Sequence, residues 1–288
     1  MSDHAPGAPC SAEPAPPAFR SSDGLRIRYR LDDFTPPWRP GETVVLLHAA
    51  MGSMNRFRQW VPHLLDRYRV LRWDMRGHGA SDAPAEEGEL SVPRMALDLI
   101  EMLDHLGLER VHLVGSSTGG IIGMLAAITW PGRFASLASF AAIPGLRPST
   151  GHHDYGDWTQ GLETEGVAAF LRRTIRQRFD PDAVEPGFVD WFVAESARND
   201  PRFLARFVRM MAGGDFGARL QEIRCPSLFV VPGADPVHSM ENYAVLRSVP
   251  DHRFIVYEGA AHNITDAQPE RCAKDLRAFL DALPRGAA

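Results

Sequence analysis

The chain contains very little lysine, very little cysteine and no long apolar run. Lys274 is the only lysine among 31 basic residues, so arginine carries almost all of the positive charge. So uniform a bias reflects composition more than selection for bidentate anion contacts, and no arginine is a binding residue on that ground alone. Cys10, Cys225 and Cys272 are odd in number and widely spaced, which excludes a disulfide framework and a cysteine-based zinc site and suits a reducing compartment. Apolar stretches such as residues 121–128 fall far short of the ~20 residues that a membrane-spanning helix needs. With a net charge of −5 there is no basic footprint for nucleic acid. Residues 1–18 are rich in Pro and Ala, with neither the basic start nor the apolar centre of a signal peptide. A disordered tail over residues 1–20 and a cytoplasmic location are expected.

What is present is an ordinary globular composition, 44% hydrophobic and 23% charged over 288 residues, with short apolar runs alternating with longer helical patterns. That alternation predicts a mostly parallel α/β sheet flanked by helices. Strands are expected at residues 25–30, 43–48, 69–73, 110–115, 135–141, 226–231 and 253–258. Val44 to Leu47 is apolar on both faces, as suits a strand covered on both sides. Helices are expected at 53–65, 91–106, 118–129, 239–248 and 268–283. In the second of these Leu97, Ile100, Leu103 and Leu106 form the apolar stripe, and Gly107 ends it. Residues 147–220 break the rhythm, with helical pieces punctuated by Pro181, Pro186, Pro201 and Gly213-Gly214. They predict a helical cap inserted into a core made of residues 21–146 and 221–288.

The strongest chemical signal is Gly115-Ser116-Ser117-Thr118-Gly119. It is a G-x-S-x-G placed after a strand and opening a helix, the context in which such a motif holds a nucleophilic serine on a sharp turn. The pattern centres on Ser117, and the flanking glycines are expected to permit the turn. A serine hydroxyl needs a base to take its proton, and the base needs a carboxylate to orient it. Of eleven histidines, His262 lies in a loop directly after the last strand, where open α/β sheets assemble their sites. Asp235, in Gly233-Ala234-Asp235-Pro236, follows the preceding strand in the same manner. The order Ser117, Asp235, His262 is that of one of the three unrelated triad lineages. For an oxyanion, the backbone N–H groups of Thr118 and Ala50 are the candidate donors, with Met51 the alternative if the loop is shifted by one residue. His48 is expected to brace that loop. No metal and no cofactor are implied.

These residues carry a family likeness: from about Ser21 to Leu283 the chain resembles the α/β-hydrolase superfamily. The segment Trp73-Asp74-Met75-Arg76-Gly77-His78-Gly79-Ala80-Ser81 is similar to that family's D-x-R-G-x-G-x-S turn, which is structural. The loop at Met51-Gly52-Ser53 and the run Gly119-Gly120-Ile121-Ile122-Gly123 resemble 3-oxoadipate enol-lactonases and small-molecule carboxylesterases. The resemblance implies a serine hydrolase that cleaves an ester or enol-lactone of a small organic acid through an acyl-enzyme. The same residue types also serve C–C bond hydrolysis, perhydrolysis and cofactor-free oxidation in relatives, and a non-catalytic receptor on the fold stays open. The expected partner is a small-molecule substrate, neither nucleic acid nor membrane, with monomer or homodimer left open. The cap residues Trp158, Phe170, Trp191, Phe192, Phe203 and Phe207 either roof the pocket or form the cap's own core. Likewise Arg172, Arg173, Arg176 and Arg178 either hold a substrate carboxylate or are solvated charges on a helix.

Overall fold

The computed structural model describes residues 15–38, 41–85, 90–146 and 155–284. Eight strands form one sheet: β1 (Ala18–Arg20), β2 (Arg26–Asp32), β3 (Glu42–Leu47), β4 (Tyr68–Trp73), β5 (Val111–Ser116), β6 (Phe134–Phe140), β7 (Ser227–Pro232) and β8 (His252–Tyr257). Their spatial order is β1-β2-β4-β3-β5-β6-β7-β8. The first two strands pair antiparallel at one edge, and from β4 to β8 every pairing is parallel. Parallel neighbours need crossover connections, and helices on the faces supply them.

Strand β3 shows why the sheet is double-faced. Val44 and Leu46 enter one apolar cluster with Trp60, Tyr68 and Leu276, while Val45 and Leu47 enter the other with Leu99, Leu103 and Ile122. Because side chains alternate along a strand, four consecutive apolar residues can be fully buried only if both faces are covered. On one face lie α1 (Val92–His105) and α2 (Thr118–Thr129), and on the other α8 (Ile264–Ala267) and α9 (Pro269–Asp281). Helix α1 starts where Ser91 accepts a hydrogen bond from the Arg94 N–H at 3.1 Å, and stops at Gly107, whose φ of 64° suits glycine. Its buried stripe runs through Met95, Leu99, Met102 and Leu103; Leu97 and Leu106, expected on that stripe, are only half-buried.

Three expectations need correction. The tail does not extend to residue 20: Phe19 is buried and Ala18–Arg20 pairs with Arg26–Arg28, while residues 1–14 lie outside the described residues. Residues 53–65 are not one α-helix but two 3-10 turns, Met54–Phe57 and Val61–His63. Pro62 would remove an amide donor and crowd the preceding turn of a continuous helix. Residues 239–248 divide into α7 (Met240–Ala244) and a 3-10 turn, Val245–Ser248.

Between β6 and β7 the described residues contain no strand but α3 (Tyr155–Arg173), bent at Gly166, α4 (Ile175–Arg178), α5 (Phe188–Ser196), α6 (Pro201–Ala212) and a 3-10 turn, Gly217–Glu222. An antiparallel bridge between Gly145 and Asp215 brings the two ends of this insertion side by side. The family-like turn after β4 is a structural clasp. Arg76 is fully buried and binds Asp98 through two 2.6 Å hydrogen bonds, and Asp74 accepts from the Met54 and Ala80 N–H groups at 2.7 and 2.9 Å. Among the described residues no helix is long and apolar enough to cross a membrane, and Cys225 and Cys272 are buried free thiols.

Candidate active site

The turn from β5 into α2 places Ser117 above the carboxyl edge of the sheet. Its backbone sits at φ 49° and ψ −117°, a conformation that costs an L-residue on the order of 1–3 kcal/mol and marks a constrained site. The flanking glycines serve a different purpose from the one expected. Neither is at positive φ; instead a Cβ on Gly115 would lie 2.4 Å from the Gly119 carbonyl oxygen, and one on Gly119 would lie 2.4 Å from that of Leu47. The motif is therefore a close-packing requirement between α2 and the ends of β5 and β3, and the strain falls on the serine. Ser117 stands at the helix N-cap, yet its hydroxyl makes no capping bond. It meets His262 Nε2 at 3.0 Å instead.

His262 follows β8 and Asp235 follows β7, and the two loops are tied together. The Gly233 N–H donates to the Tyr257 carbonyl at 2.9 Å, and the Ala234 N–H donates to that of Ala260 at 3.0 Å. These bonds fix the separation of the two side chains, so that His262 Nδ1 lies 2.8 Å from Asp235 Oδ2. The carboxylate also accepts from the Val237 N–H at 2.8 Å and from the Tyr243 hydroxyl. Burial pushes the Asp235 carboxyl up. The charge and hydrogen bond of His262, with help from His238 and Tyr243, outweigh it and hold the group at about 2. An ionised Asp235 requires a proton on Nδ1, which leaves Nε2 free to accept the Ser117 hydroxyl proton. Thus the structure brings Ser117, His262 and Asp235 into one hydrogen-bonded line. Tyr243, eight residues beyond the acid on a short helix, has no sequence signal of its own.

Ala50 and Thr118 border the same space as Ser117. Among the described residues neither N–H donates to a backbone carbonyl. The loop carrying Ala50 is braced from behind by His48, whose Nε2 accepts from the Met75 N–H at 3.0 Å and whose Nδ1–H donates to the Ala49 carbonyl at 2.8 Å. Complete burial, with the neighbouring His78, pushes the His48 imidazole well below its usual range and keeps it neutral, as this bracing requires.

Two cavities meet at Ser117, and Ala50, Trp158 and His262 line both. One is apolar, walled by Leu146, Phe207, Val208, Met211 and Val237. The other contains Arg56, Arg178, Phe192 and Asn263. The insertion's aromatics therefore divide: Trp158, Phe192 and Phe207 face the cavities, Phe170 packs behind Trp158, Phe203 packs on His78, and Trp191 is 37% exposed. The arginines divide too. Arg172, Arg173 and Arg176 are exposed and paired with Asp190, Glu165, and Asp180 with Asp182, whereas Arg178 is buried in the cavity wall. Arg56, which sequence reasoning missed, is buried in the same wall and paired with Asp266 at 2.9 Å. Among the described residues no group of three or more His, Cys, Asp or Glu side chains could hold a metal ion.

Comparison with known proteins agrees with this architecture. Residues 42–163 match a family model described as alpha/beta hydrolase fold. A Bacillus subtilis protein, provisionally named a 2-succinyl-6-hydroxy-2,4-cyclohexadiene-1-carboxylate synthase, is 28% identical over 91% of this chain and 97% of its own length. 3-Oxoadipate enol-lactonase 2 of Acinetobacter baylyi is 26% identical over 88% of this chain and 94% of its own. The crystal structure of an enol-lactonase from Burkholderia xenovorans superimposes with a TM-score of 0.83 at 20% identity, covering 92% of this chain and 100% of that one.

Proposed function

We propose, from the premise that this chain is an α/β hydrolase related to enol-lactonases and esterases, that it cleaves an ester or enol-lactone of a small organic acid through an acyl-enzyme on Ser117. The single observation that carries this reading is the line Ser117 Oγ, His262, Asp235, with contacts of 3.0 and 2.8 Å, ending at a cavity. In this reading residues 147–220 form a cap over a core of residues 21–146 and 221–288.

His262 Nε2 takes the Ser117 proton as Oγ attacks the carbonyl carbon, and Asp235 stabilises the imidazolium that forms. The carbonyl π electrons move onto oxygen, where the N–H groups of Ala50 and Thr118 receive the developing charge; one such donor is worth about 3 kcal/mol in the transition state. Collapse expels the alcohol or enol, which takes the proton back from His262; from a lactone it remains tethered to the acyl group. Water then attacks the acyl-enzyme, giving its proton to His262, and the acid is released as Ser117 recovers its hydrogen. None of these steps requires a metal or a cofactor.

The Bacillus relative's name describes a synthase, which favours keeping a second reading: the same line serving a reaction other than hydrolysis. A panel of p-nitrophenyl esters, lactones and enol-lactones separates the two. Turnover by the wild type, lost in Ser117→Ala, supports hydrolysis; a folded wild type inert toward the whole panel rejects it.

A further inference from the structure

Side chains alternate along β5, so Val114 and Ser116 share the face that carries Trp60, Ile264 and Leu276. Val114 joins that apolar cluster, whereas Ser116, directly before the nucleophile, brings a hydroxyl to it. Ser116 is 4% exposed, and its Oγ lies 2.8 Å from the Oγ1 of Thr265, which is equally buried. The Thr265 carbonyl accepts from Trp60 Nε1 at 3.0 Å, so its hydroxyl and its carbonyl are both engaged. Thr265 stands three residues past His262 in α8, whose first residue donates its N–H to the His262 carbonyl at 3.0 Å. Whatever fixes Thr265 therefore also fixes the backbone of the base.

The other tethers of the histidine loop lead elsewhere. Ala260 accepts from Ala234 in the acid's loop, Asn263 donates to the Arg178 carbonyl in the insertion at 2.7 Å, and Asp266 pairs with Arg56. With the bond from Nδ1 to Asp235, these contacts keep the base with the acid and the insertion, and none reaches the serine. Between residues 115–119 and residues 259–267, the side-chain hydrogen bonds among the described residues are Ser117–His262 and Ser116–Thr265. The first cannot persist through acyl transfer, because Oγ gives up its proton and becomes an ester oxygen with none to donate. The second involves no reacting atom and stays intact.

We propose that Ser116, acting through Thr265, is a positioning residue for the second half of the reaction: it holds His262 over the nucleophile turn while an acyl group occupies Ser117. This inference rests on Ser117 forming an acyl-enzyme. In the first half-reaction the Ser117–His262 bond itself keeps base and nucleophile in register. In the second, a water must give its proton to Nε2 as its oxygen attacks the acyl carbon, and the hydroxyl bridge is the remaining side-chain link between the two loops. Loss of the bridge should therefore slow deacylation far more than acylation. A residue that serves the fold alone would affect both steps alike.

The two steps are separable with p-nitrophenyl butyrate, acylation as the nitrophenolate burst in stopped flow and deacylation as decay of the isolated acyl-enzyme followed by mass. Ser116→Ala should keep acylation within about threefold of wild type and slow deacylation by about thirtyfold, since a misplacement of about 1 Å can cost 10²-fold. In the steady state kcat and KM should fall together, with kcat/KM within about threefold. Thr265→Val, of the same shape without the hydroxyl, should show the same split, and Thr265→Ser should recover most of the deacylation rate. The Ser116→Ala/Thr265→Val double variant leaves no hydroxyl orphaned and should deacylate no more slowly than either single variant; it decides the matter where a single variant fails to fold. Equal slowing of both steps, or wild-type deacylation in folded Thr265→Val or double-variant protein, overturns the inference and leaves the acyl-enzyme reading intact. A wild type that forms no acyl-enzyme removes that reading and this inference with it.

Discussion

The strand-end side of the pocket and its helical side are built on different principles. On the first, each reacting group is held by partners within the fold: Asp235 has three donors, His262 has Asp235 on one nitrogen and Ser117 on the other, and the loops carrying them are joined by backbone hydrogen bonds. On the second, the bent α3 and short α4 put the buried Arg178 guanidinium over an aromatic ring with, among the described residues, no carboxylate within ion-pair distance. Satisfied groups keep their geometry whether or not substrate is present. A group left short of a partner gains most when substrate supplies one. In the proposed function, chemistry falls to the sheet and selection to the insertion.

The comparison breaks first at Ser117. Its hydroxyl caps nothing, so Ser117→Ala should cost about 10⁴-fold or more in ester turnover while leaving the thermal midpoint within about 2 °C. Loss of both activity and stability would mean that this side chain also serves the fold. Asp235→Asn should lower kcat by about 10³–10⁴-fold, because an amide no longer demands the proton on Nδ1; retention of the wild-type rate would remove Asp235 from its orienting role. Gly119→Ala presses a methyl group onto the Leu47 carbonyl and should destabilise the chain by about 1–3 kcal/mol, read as a lower urea midpoint. An unchanged midpoint would show that the packing around the serine is looser than the geometry indicates.

The smallest expected effect sharpens the account of Asp235. Tyr243→Phe removes one donor from Oδ2 and should lower kcat by about three- to tenfold. The carboxyl stands at about 2 in the folded chain against an ordinary 3.8. Its ionisation therefore stabilises the fold above about pH 4, and that contribution is lost as pH falls through 2. Tyr243→Phe raises the folded value and should shrink the acid-side loss, measured as urea midpoints between pH 5 and pH 2.5. An unaltered pH dependence would place the tyrosine hydroxyl outside the network.

The same contrast explains what could be read from the sequence. Ser117, His262 and Asp235 each sit just past a strand, and strands in a doubly covered sheet announce themselves as apolar runs, so position along the chain sufficed to nominate the three residues that hydrogen bonds join in the structure. Thr118 and Ala50, nominated by the same logic, border the same space as Ser117. Arg178 could not be distinguished from Arg172, Arg173 and Arg176, because what separates them is burial, and burial in short helices bent at Gly166 has no clean period. Arg56 was hidden within residues 53–65, whose apolar spacing imitates a helix that Pro62 interrupts. Tyr243 acts through a contact made only when α7 packs beside the strand-end loops.

The most direct measurement of the central claim is peptide mapping after exposure of the folded protein to a fluorophosphonate. One adduct per chain on Ser117, formed at the wild-type rate by Arg176→Gln and not at all by Ser117→Ala, is the predicted result. A folded wild type that stays unlabelled, or carries its label on another residue, contradicts it.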